Sequence, residues 1–250
     1  MLLLILAVLL LVGVIAGNVP RCINSSNANV KGKVAVVISG SSRSLKFTLP
    51  SIERHVFDVL TRNGFEFDLF WSTLLHSSGG VWVVDDKTPQ SERIELDHFD
   101  ARFSNACVFS LESQDVVMRK MTDRLCEAKE SLQCSDGHFL HVKEKQQLRN
   151  YLGCFYTQQK ASELIKYHSI NSHINYDAIM FIRPDTAQVV DTDFPANFEQ
   201  ILKTPNAIFI PDFQDWSGLN DRAAYGSVQV MMKYLTRGEV FYNDKHSLEI

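Results

Sequence analysis

The sequence lacks the features by which several common classes of protein are recognised. It has no excess of positive charge: 25 Lys and Arg stand against 29 Asp and Glu, a formal net charge of -4, whereas nucleic-acid binding favours a basic face. It contains neither the Gly-x-Gly-x-x-Gly pattern of dinucleotide-binding folds nor a phosphate-binding loop that ends in Lys-Ser/Thr. Internal repeats and low-complexity tracts are also absent. We therefore expect no nucleic-acid partner, and the length suits one globular domain.

The amino terminus is the exceptional part of the composition. It is apolar from Leu2 to Ala16, and the first charged residue is Arg21. A signal peptide needs an apolar stretch of about 7 to 15 residues and a membrane-spanning helix about 20, so this run lies between the two. We expect residues 1–19 to be a cleaved signal peptide or an uncleaved signal anchor in the membrane, and residues 20–32 to be a polar stem. Either reading places the chain in the secretory pathway, as a type II membrane protein of the ER or Golgi lumen or as a secreted protein.

Two further features agree with a lumenal location. Asn24-Ser25-Ser26 is a sequon for N-glycosylation. The five cysteines would meet an oxidising compartment, and their odd number leaves at least one unpaired. The short separation of Cys126 and Cys134 predicts a disulfide between them. His138 and His141 follow Cys134, but structural zinc needs four ligands and only three are present, so we predict no zinc site.

The order of apolar segments predicts an α/β fold with a mainly parallel sheet. Residues 33–39 form a short apolar run that is typical of a strand covered on both faces. An amphipathic helix starting at Pro50 and a second strand at 67–72 follow, and such a β-α-β unit implies parallel strands with a right-handed crossover. Further strands are predicted at 81–84, 106–109, 176–182 and 207–210, further helices at 114–129, 148–168 and 228–235, and a polar loop at 211–227.

Three of the predicted strands end in chemically distinctive residues. Because α/β sheets bind ligands beyond the carboxyl ends of their strands, we expect these ends to open onto one crevice. Gly40 lets the backbone approach a phosphate or sugar and Arg43 adds a fixed charge, unless the two form a plain β-α turn. Arg183 and Asp185 would point to the same side of a strand, where the arginine could neutralise a diphosphate and the aspartate bind a divalent cation. Their alternative is a structural ion pair. Asp212 marks the third end.

The loop predicted at 211–227 concentrates reactive side chains. The ring of Trp216 suits the C–H face of a sugar. Either Asp212 or Asp221 could act as the general base on an acceptor hydroxyl. The remaining candidates for sugar or acceptor binding are Asn220, Arg222 and Tyr225. The alternative is an ordinary polar loop in which Trp216 is half-buried.

Four segments, taken in order, resemble a group of GT-A-type glycosyltransferase-like proteins of algae, protists, plants and large algal viruses. They are residues 33–40 with Arg43, 67–72, 176–185 and 211–227. The resemblance covers about residues 33 to 235. It implies one GT-A-like, Rossmann-type domain over residues 33–250, a nucleotide-sugar donor, and a glycan or glycoprotein acceptor. It also places Arg183-Pro184-Asp185 where glycosyltransferases carry an Asp-x-Asp motif for Mn²⁺ or Mg²⁺, so that Asp185 is the one metal ligand left. Related domains are expected to continue beyond Ile250, which makes a truncated carboxyl end our expectation.

These patterns together predict a lumenal glycosyltransferase. Gly40, Arg43, Arg183 and Asp185 would bind the donor, and the 211–227 loop would supply the base and the sugar site. Two alternatives stay open. A non-catalytic, secreted carbohydrate-binding protein on a decayed transferase fold is favoured by the altered metal motif. A lumenal sulfotransferase would use residues 39–43 as its phosphosulfate loop, although that loop lacks the usual lysine.

Overall fold

The computed structural model describes residues 30–41, 45–75, 106–128, 134–135, 138–139, 145–212 and 221–239. The predictions for the leader, the glycosylation sequon, strand 81–84, Arg43, Trp216 and Asn220 lie outside these residues, as does most of the stem predicted at 20–32. The stem ends before Gly32, because Gly32 already belongs to the first strand. No helix within the described part is both long enough and apolar enough to cross a membrane.

Strands and helices are mixed along the described chain, as the sequence predicts. The strands are β1 (Gly32–Ser41), β2 (Phe65–Leu75), β3 (Ala106–Ser113), β4 (Cys134–Ser135), β5 (His138–Phe139), β6 (Ala178–Ile182), β7 (Ile208–Phe209) and β8 (Ala223–Ser227). The helices are α1 (Leu45–Ile52), a π-helical turn (Glu53–Phe57), α2 (Asp58–Arg62), α3 (Gln114–Ala128), α4 (Lys145–Ser172), α5 (Phe194–Lys203) and α6 (Val228–Leu235).

One open six-stranded sheet organises the described residues, with strand order β3-β2-β1-β6-β8-β7. The strands β3, β2, β1 and β6 are mutually parallel. β8 runs antiparallel to β6, and β7 runs antiparallel to β8. The predicted mixed α/β fold with a mainly parallel sheet is therefore confirmed. β4 and β5 form a separate small hairpin.

Helices cover both faces of the sheet, which explains the continuous apolar run of β1. Residues 34–38 of β1 are all fully buried. Val34, Val36 and Ile38 face one layer, and Ala35 and Val37 face the other, because side chains alternate along a strand. The first layer contains α1, the π-helical turn, α2 and α5, and the second contains α4 and α6. α3 packs against α4 and β2 in a smaller third cluster.

Pro50 does not start the first helix, so that prediction was wrong. The helix begins at Leu45, and Pro50 lies inside α1, three residues before the π-helical turn Glu53–Phe57. Proline removes one backbone donor and disturbs the regular α-helical bonding around it. The turn that follows closes with the Asp58 N–H donating to the Glu53 carbonyl, one residue further back than in an α-helix.

The polar segment before α6 is not entirely a loop. Its last five residues form β8, which pairs with β6 from Ala178↔Ser227 to Ile182↔Ala223. The sequence Ala-Ala-Tyr-Gly-Ser has little intrinsic preference for a strand. Hydrogen bonding to β6 is therefore the reason that it is extended. The neighbouring strand β7 is shorter than predicted, at two residues.

Candidate functional site

The carboxyl ends of β1 and β6 meet at one edge of the sheet. Ile38 of β1 lies opposite Ile182 of β6, so the residues that follow each strand are neighbours. Gly40 has a φ of +139°, and a β-carbon at this position would lie 3.2 Å from Cδ of Pro184. Glycine is therefore needed here for both its backbone conformation and the close approach. The predicted meeting of these two strand ends is confirmed.

Arg183 is the centre of the polar contacts at this edge. Its Nε and Nη2 atoms donate to Oδ1 and Oδ2 of Asp185, at 2.9 and 2.6 Å. Its Nη1 donates to Oδ2 of Asp221 at 2.7 Å. Its backbone N–H donates to the Arg222 carbonyl at 2.8 Å, which fixes it against the start of β8. We call Arg183, Asp185 and Asp221 the Arg183 triad.

The Arg183 triad carries more negative than positive charge, because two carboxylates share one guanidinium. Its side chains are partly buried, with exposed fractions of 30% for Arg183, 16% for Asp185 and 35% for Asp221. Burial alone would lower the pKa of Arg183, but hydrogen bonds and charge from the two aspartates raise it above its ordinary value. The arginine stays charged, and three of its five N–H donors are already used. The triad therefore offers mainly hydrogen-bond acceptors to a ligand.

A polar stripe on the adjacent helical segment holds the chain that follows Asp185. Thr48, Ser51, His55 and Arg62 are spaced by three, four and seven residues, which places them on one helical face. The Thr48 hydroxyl donates to the Pro184 carbonyl, one residue before Asp185. The stripe thus begins directly behind the triad.

The same stripe fixes residues 188–192 further along. The backbone N–H of Gln188 donates to Ser51 Oγ, and that of Thr192 donates to the His55 carbonyl, each at 2.9 Å. The Asp191 carboxylate pairs with the His55 ring at 2.8 Å and with Arg62. The hydrogen bond with His55, followed by that from Arg62, lowers the pKa of Asp191. These contacts limit the freedom of the segment that carries Asp185.

Asp212 and Arg222 lie at the same edge of the sheet as the triad. β7 runs in the same direction as β6, so Asp212, which follows β7, extends from the same edge and is exposed. Arg222 contributes its backbone carbonyl to Arg183. The third predicted strand end thus joins the other two at this edge.

Tyr225 does not join the Arg183 triad, contrary to the expectation of one sugar site. It lies opposite Met180 in the interior of β8, and it packs with the first core layer rather than with α4. Its hydroxyl donates to Asp193 at 2.6 Å and accepts from Asn197 at 2.8 Å. Its ring stacks on Phe209 with centroids 5.0 Å apart. These contacts show that Tyr225 connects β8 to the first turn of α5.

The residues at this edge do not fit a metal site of the Asp-x-Asp type. Both oxygens of Asp185 accept hydrogen bonds from Arg183, so a cation would have to displace the guanidinium. Among the described residues, no group of three or more His, Cys, Asp or Glu side chains is placed to hold a metal. Metal binding by Asp185 would thus require its carboxylate to leave Arg183, and it stays a prediction from the sequence alone.

Cys154 and Gln158 on α4 belong to this region and were not predicted. Cys154 is a free cysteine, and its Sγ accepts a hydrogen bond from Gln158 Nε2 at 3.3 Å. Burial raises the pKa of the Cys154 thiol to about 11, and the charges of Arg183, Asp221 and Asp185 also act on it. The thiol therefore stays protonated near neutral pH. The sequence signalled this residue only through the odd number of cysteines.

Comparison of the chain with models of known protein families found no match. Searches against curated proteins and against solved structures also found none. The strand order defines the class of the protein as a mixed α/β fold with one open sheet that is mostly parallel in its core. The Arg183 triad and its surroundings are the features of this fold that bear on function.

Proposed function

We propose that the protein is a glycosyltransferase of the secretory pathway, with a GT-A-like domain, which moves a sugar from a nucleotide diphosphate sugar to an acceptor hydroxyl. The observation that carries the proposal is the Arg183 triad at the carboxyl edge of a mostly parallel sheet, the edge where α/β sheets bind ligands. One guanidinium holds two carboxylates in fixed positions. A sugar presents several hydroxyl donors, and fixed carboxylates are strong acceptors for them.

The charge of the triad suggests how the two parts of such a donor are bound. With one guanidinium for two carboxylates, the triad would repel a diphosphate that approached it directly. Asp185 and Asp221 are therefore assigned to sugar hydroxyls. The diphosphate is assigned to the backbone at Gly40 and to Arg43, rather than to Arg183 and Asp185, for which the sequence pattern predicted that role. Asp212 is the stronger candidate for the general base, because it is exposed whereas Asp221 is committed to Arg183.

Binding of carbohydrate without catalysis is the second candidate. It is favoured by the 2.7 Å hydrogen bond from Arg183 to Asp221, which occupies an acceptor that a catalytic base would need. A protein of this kind would bind free glycans or monosaccharides and would not require a nucleotide. The two candidates share the sugar site and differ in whether the nucleotide diphosphate contributes to affinity.

Calorimetric titration of the full chain separates the candidates. The titrants are a panel of nucleotide diphosphate sugars, the matching free monosaccharides and the nucleotide diphosphates, each with and without Mn²⁺. Tighter saturable binding of a nucleotide sugar than of its monosaccharide supports the transferase, and binding of free sugars alone supports the carbohydrate-binding protein. If no compound of either type binds, both candidates are refuted.

Two variants show whether the triad is the site. Asp185→Asn keeps the shape of the side chain but removes its charge. Asp177→Asn is the matched control, since Asp177 lies at the opposite end of β6 and accepts a hydrogen bond from the Lys33 backbone at 2.8 Å. We expect Asp185→Asn to weaken sugar binding by about tenfold, equally with and without Mn²⁺, since one charge-assisted hydrogen bond is worth about 1.5 kcal/mol or more. A loss seen only with Mn²⁺ would instead assign Asp185 to a metal.

A further inference from the structure

A second polar cluster lies behind the Arg183 triad, between β1 and α4. We infer that Ser39, Cys154 and Gln158 lie together there and call them the inner polar cluster. Ala161 and Ile165 of α4 pack in one layer with Ala35 and Val37 of β1, and Cys154 lies within reach of the charge of Arg183 at the carboxyl edge. Ser39 follows Ala35 and Val37 on the face of β1 that packs against α4, because side chains alternate along a strand. Cys154 and Gln158 are one turn apart on α4 and are joined by the hydrogen bond from Gln158 Nε2 to Cys154 Sγ.

Two atoms of the inner polar cluster are buried and unpaired. Ser39 is 1% exposed and Gln158 is fully buried. Within the part of the chain that the structure describes, Oγ of Ser39 and Oε1 of Gln158 have no hydrogen-bond partner. Turning the carboxamide over would leave its NH₂ group unpaired instead, so Gln158 keeps one unpaired group in either orientation. Folded proteins pair the great majority of their buried polar atoms, so each of these two atoms calls for a partner from outside the protein, either an ordered water or a ligand group.

The inner polar cluster is electrostatically connected to the triad. The charges of Arg183, Arg237, Asp221 and Asp185 all act on the Cys154 thiol. Arg183 also follows Phe181 on the face of β6 that packs against α4, the same face as Ser39. The triad and the inner polar cluster are thus outer and inner parts of one polar region at the carboxyl edge.

We propose that the inner polar cluster binds an uncharged hydroxyl group of a ligand that also contacts the Arg183 triad. Such a group can donate to Gln158 Oε1 and accept from the Ser39 hydroxyl. A phosphate does not suit the site, because the Arg183 triad that the same ligand contacts carries two carboxylates for one guanidinium. The class of ligand is therefore a polyol, such as a sugar. This inference rests on the proposed function and adds the residues that recognise the inner end of the sugar.

The test uses three variants of the full chain. Ser39→Ala and Gln158→Met each remove an unpaired polar atom. Ser162→Ala is the matched control, since Ser162 is also a buried serine, one turn further along α4, whose hydroxyl already donates to the Gln159 carbonyl at 2.7 Å. Each variant is titrated with a panel of common monosaccharides and nucleotide diphosphate sugars, with inorganic pyrophosphate as the charged control. Urea unfolding without ligand checks that each variant folds.

We expect Ser39→Ala and Gln158→Met to weaken sugar binding by about five- to tenfold, the value of one hydrogen bond, and Ser162→Ala to change it by less than about twofold. Ser39→Ala should leave unfolding in the absence of ligand unchanged, because the hydroxyl has no protein partner to lose. Sugar binding that is insensitive to Ser39→Ala and Gln158→Met overturns the inference and leaves the proposed function standing. A crystal structure of the sugar complex with an ordered water only between Ser39 and Gln158 also overturns it.

The opposite combination is distinguishable. If no nucleotide sugar binds, but a monosaccharide binds and is weakened by Ser39→Ala and Gln158→Met, the transferase fails and the inner polar cluster is supported as a polyol site. If no sugar of either kind binds the wild-type chain, the inference fails together with the proposed function. Binding of pyrophosphate that Gln158→Met weakens would contradict the assignment to an uncharged group.

Discussion

Replacing each aspartate of the Arg183 triad should affect stability unequally. Asp185 accepts two hydrogen bonds from Arg183 and is 16% exposed, whereas Asp221 accepts one and is 35% exposed. Breaking a fully buried ion pair costs about 3 to 5 kcal/mol. An exposed pair is worth about 0 to 1 kcal/mol. We therefore expect a loss of about 2 kcal/mol for Asp185→Asn, which lies between the two ranges, and of about 0.5 kcal/mol for Asp221→Asn, which lies within the range for exposed pairs.

Thermal unfolding at neutral pH, followed by tryptophan fluorescence, measures this difference. At about 2 to 4 °C of melting temperature per kcal/mol, Asp185→Asn should lower the melting temperature by about 4 to 8 °C and Asp221→Asn by about 1 to 2 °C. Equal effects of the two substitutions would refute the argument from exposure and bond number. An unchanged midpoint for Asp185→Asn would show that the bidentate contact with Arg183 does not stabilise the fold.

Three further predictions concern the surrounding structure. His168 is buried, and burial lowers its pKa, so the unfolded chain binds a proton at this residue more readily than the folded chain. The free energy of unfolding should therefore fall as the pH drops below about 6.5. His168→Gln should reduce that pH dependence, which unfolding curves at several pH values measure. Gly40→Ala should destabilise the fold by more than about 1 kcal/mol because of the φ of +139°, whereas Gly153→Ala, with no positive φ, should cost less, and equal losses would contradict this reading. Cys126 is bonded in a disulfide, and the side chain of its predicted partner Cys134 lies outside the described residues. Thiol alkylation of unreduced, denatured protein should label Cys154 but neither Cys126 nor Cys134. Labelling of Cys134 would refute that pairing.

The parts of the fold that the sequence predicted are those in which local and tertiary preferences agree. Residues 34–38 are apolar throughout because helices cover both faces of β1. The helix at 228–235 was predicted with its observed limits, and Ser227 caps it by accepting from the Val230 N–H. α4 extends beyond the predicted 148–168 at both ends, to Lys145 and Ser172. Element ends depend on contacts that periodicity does not encode.

The strand β8 could not be predicted for the opposite reason. Its sequence has no β-branched residue, and only its pairing with β6 makes it extended. Once β8 is known, alternation separates Ala224, which faces α4, from Tyr225, which faces α5. Tyr225 looked like a sugar ligand only because it was read as part of a loop.

The candidate site was visible in the sequence only in part. The spacing of Arg183 and Asp185 predicted that they would share one side, and they bond to each other. The second carboxylate, Asp221, is 38 residues away along the chain, and no local pattern indicates its contact with Arg183. Gln158 carried no signal because it looks like an ordinary polar residue in a helix, and Ser39 was considered only within the loop 39–43 of the sulfotransferase alternative.

The most direct test of the account is calorimetric titration of the wild-type chain and Asp185→Asn with nucleotide diphosphate sugars, with and without Mn²⁺. We expect saturable binding of at least one nucleotide sugar by the wild-type chain. We also expect a loss of about tenfold in affinity for Asp185→Asn that is the same in both conditions. Absence of binding by every nucleotide sugar, or equal binding by a folded Asp185→Asn variant, would contradict the assignment of the Arg183 triad as the sugar site.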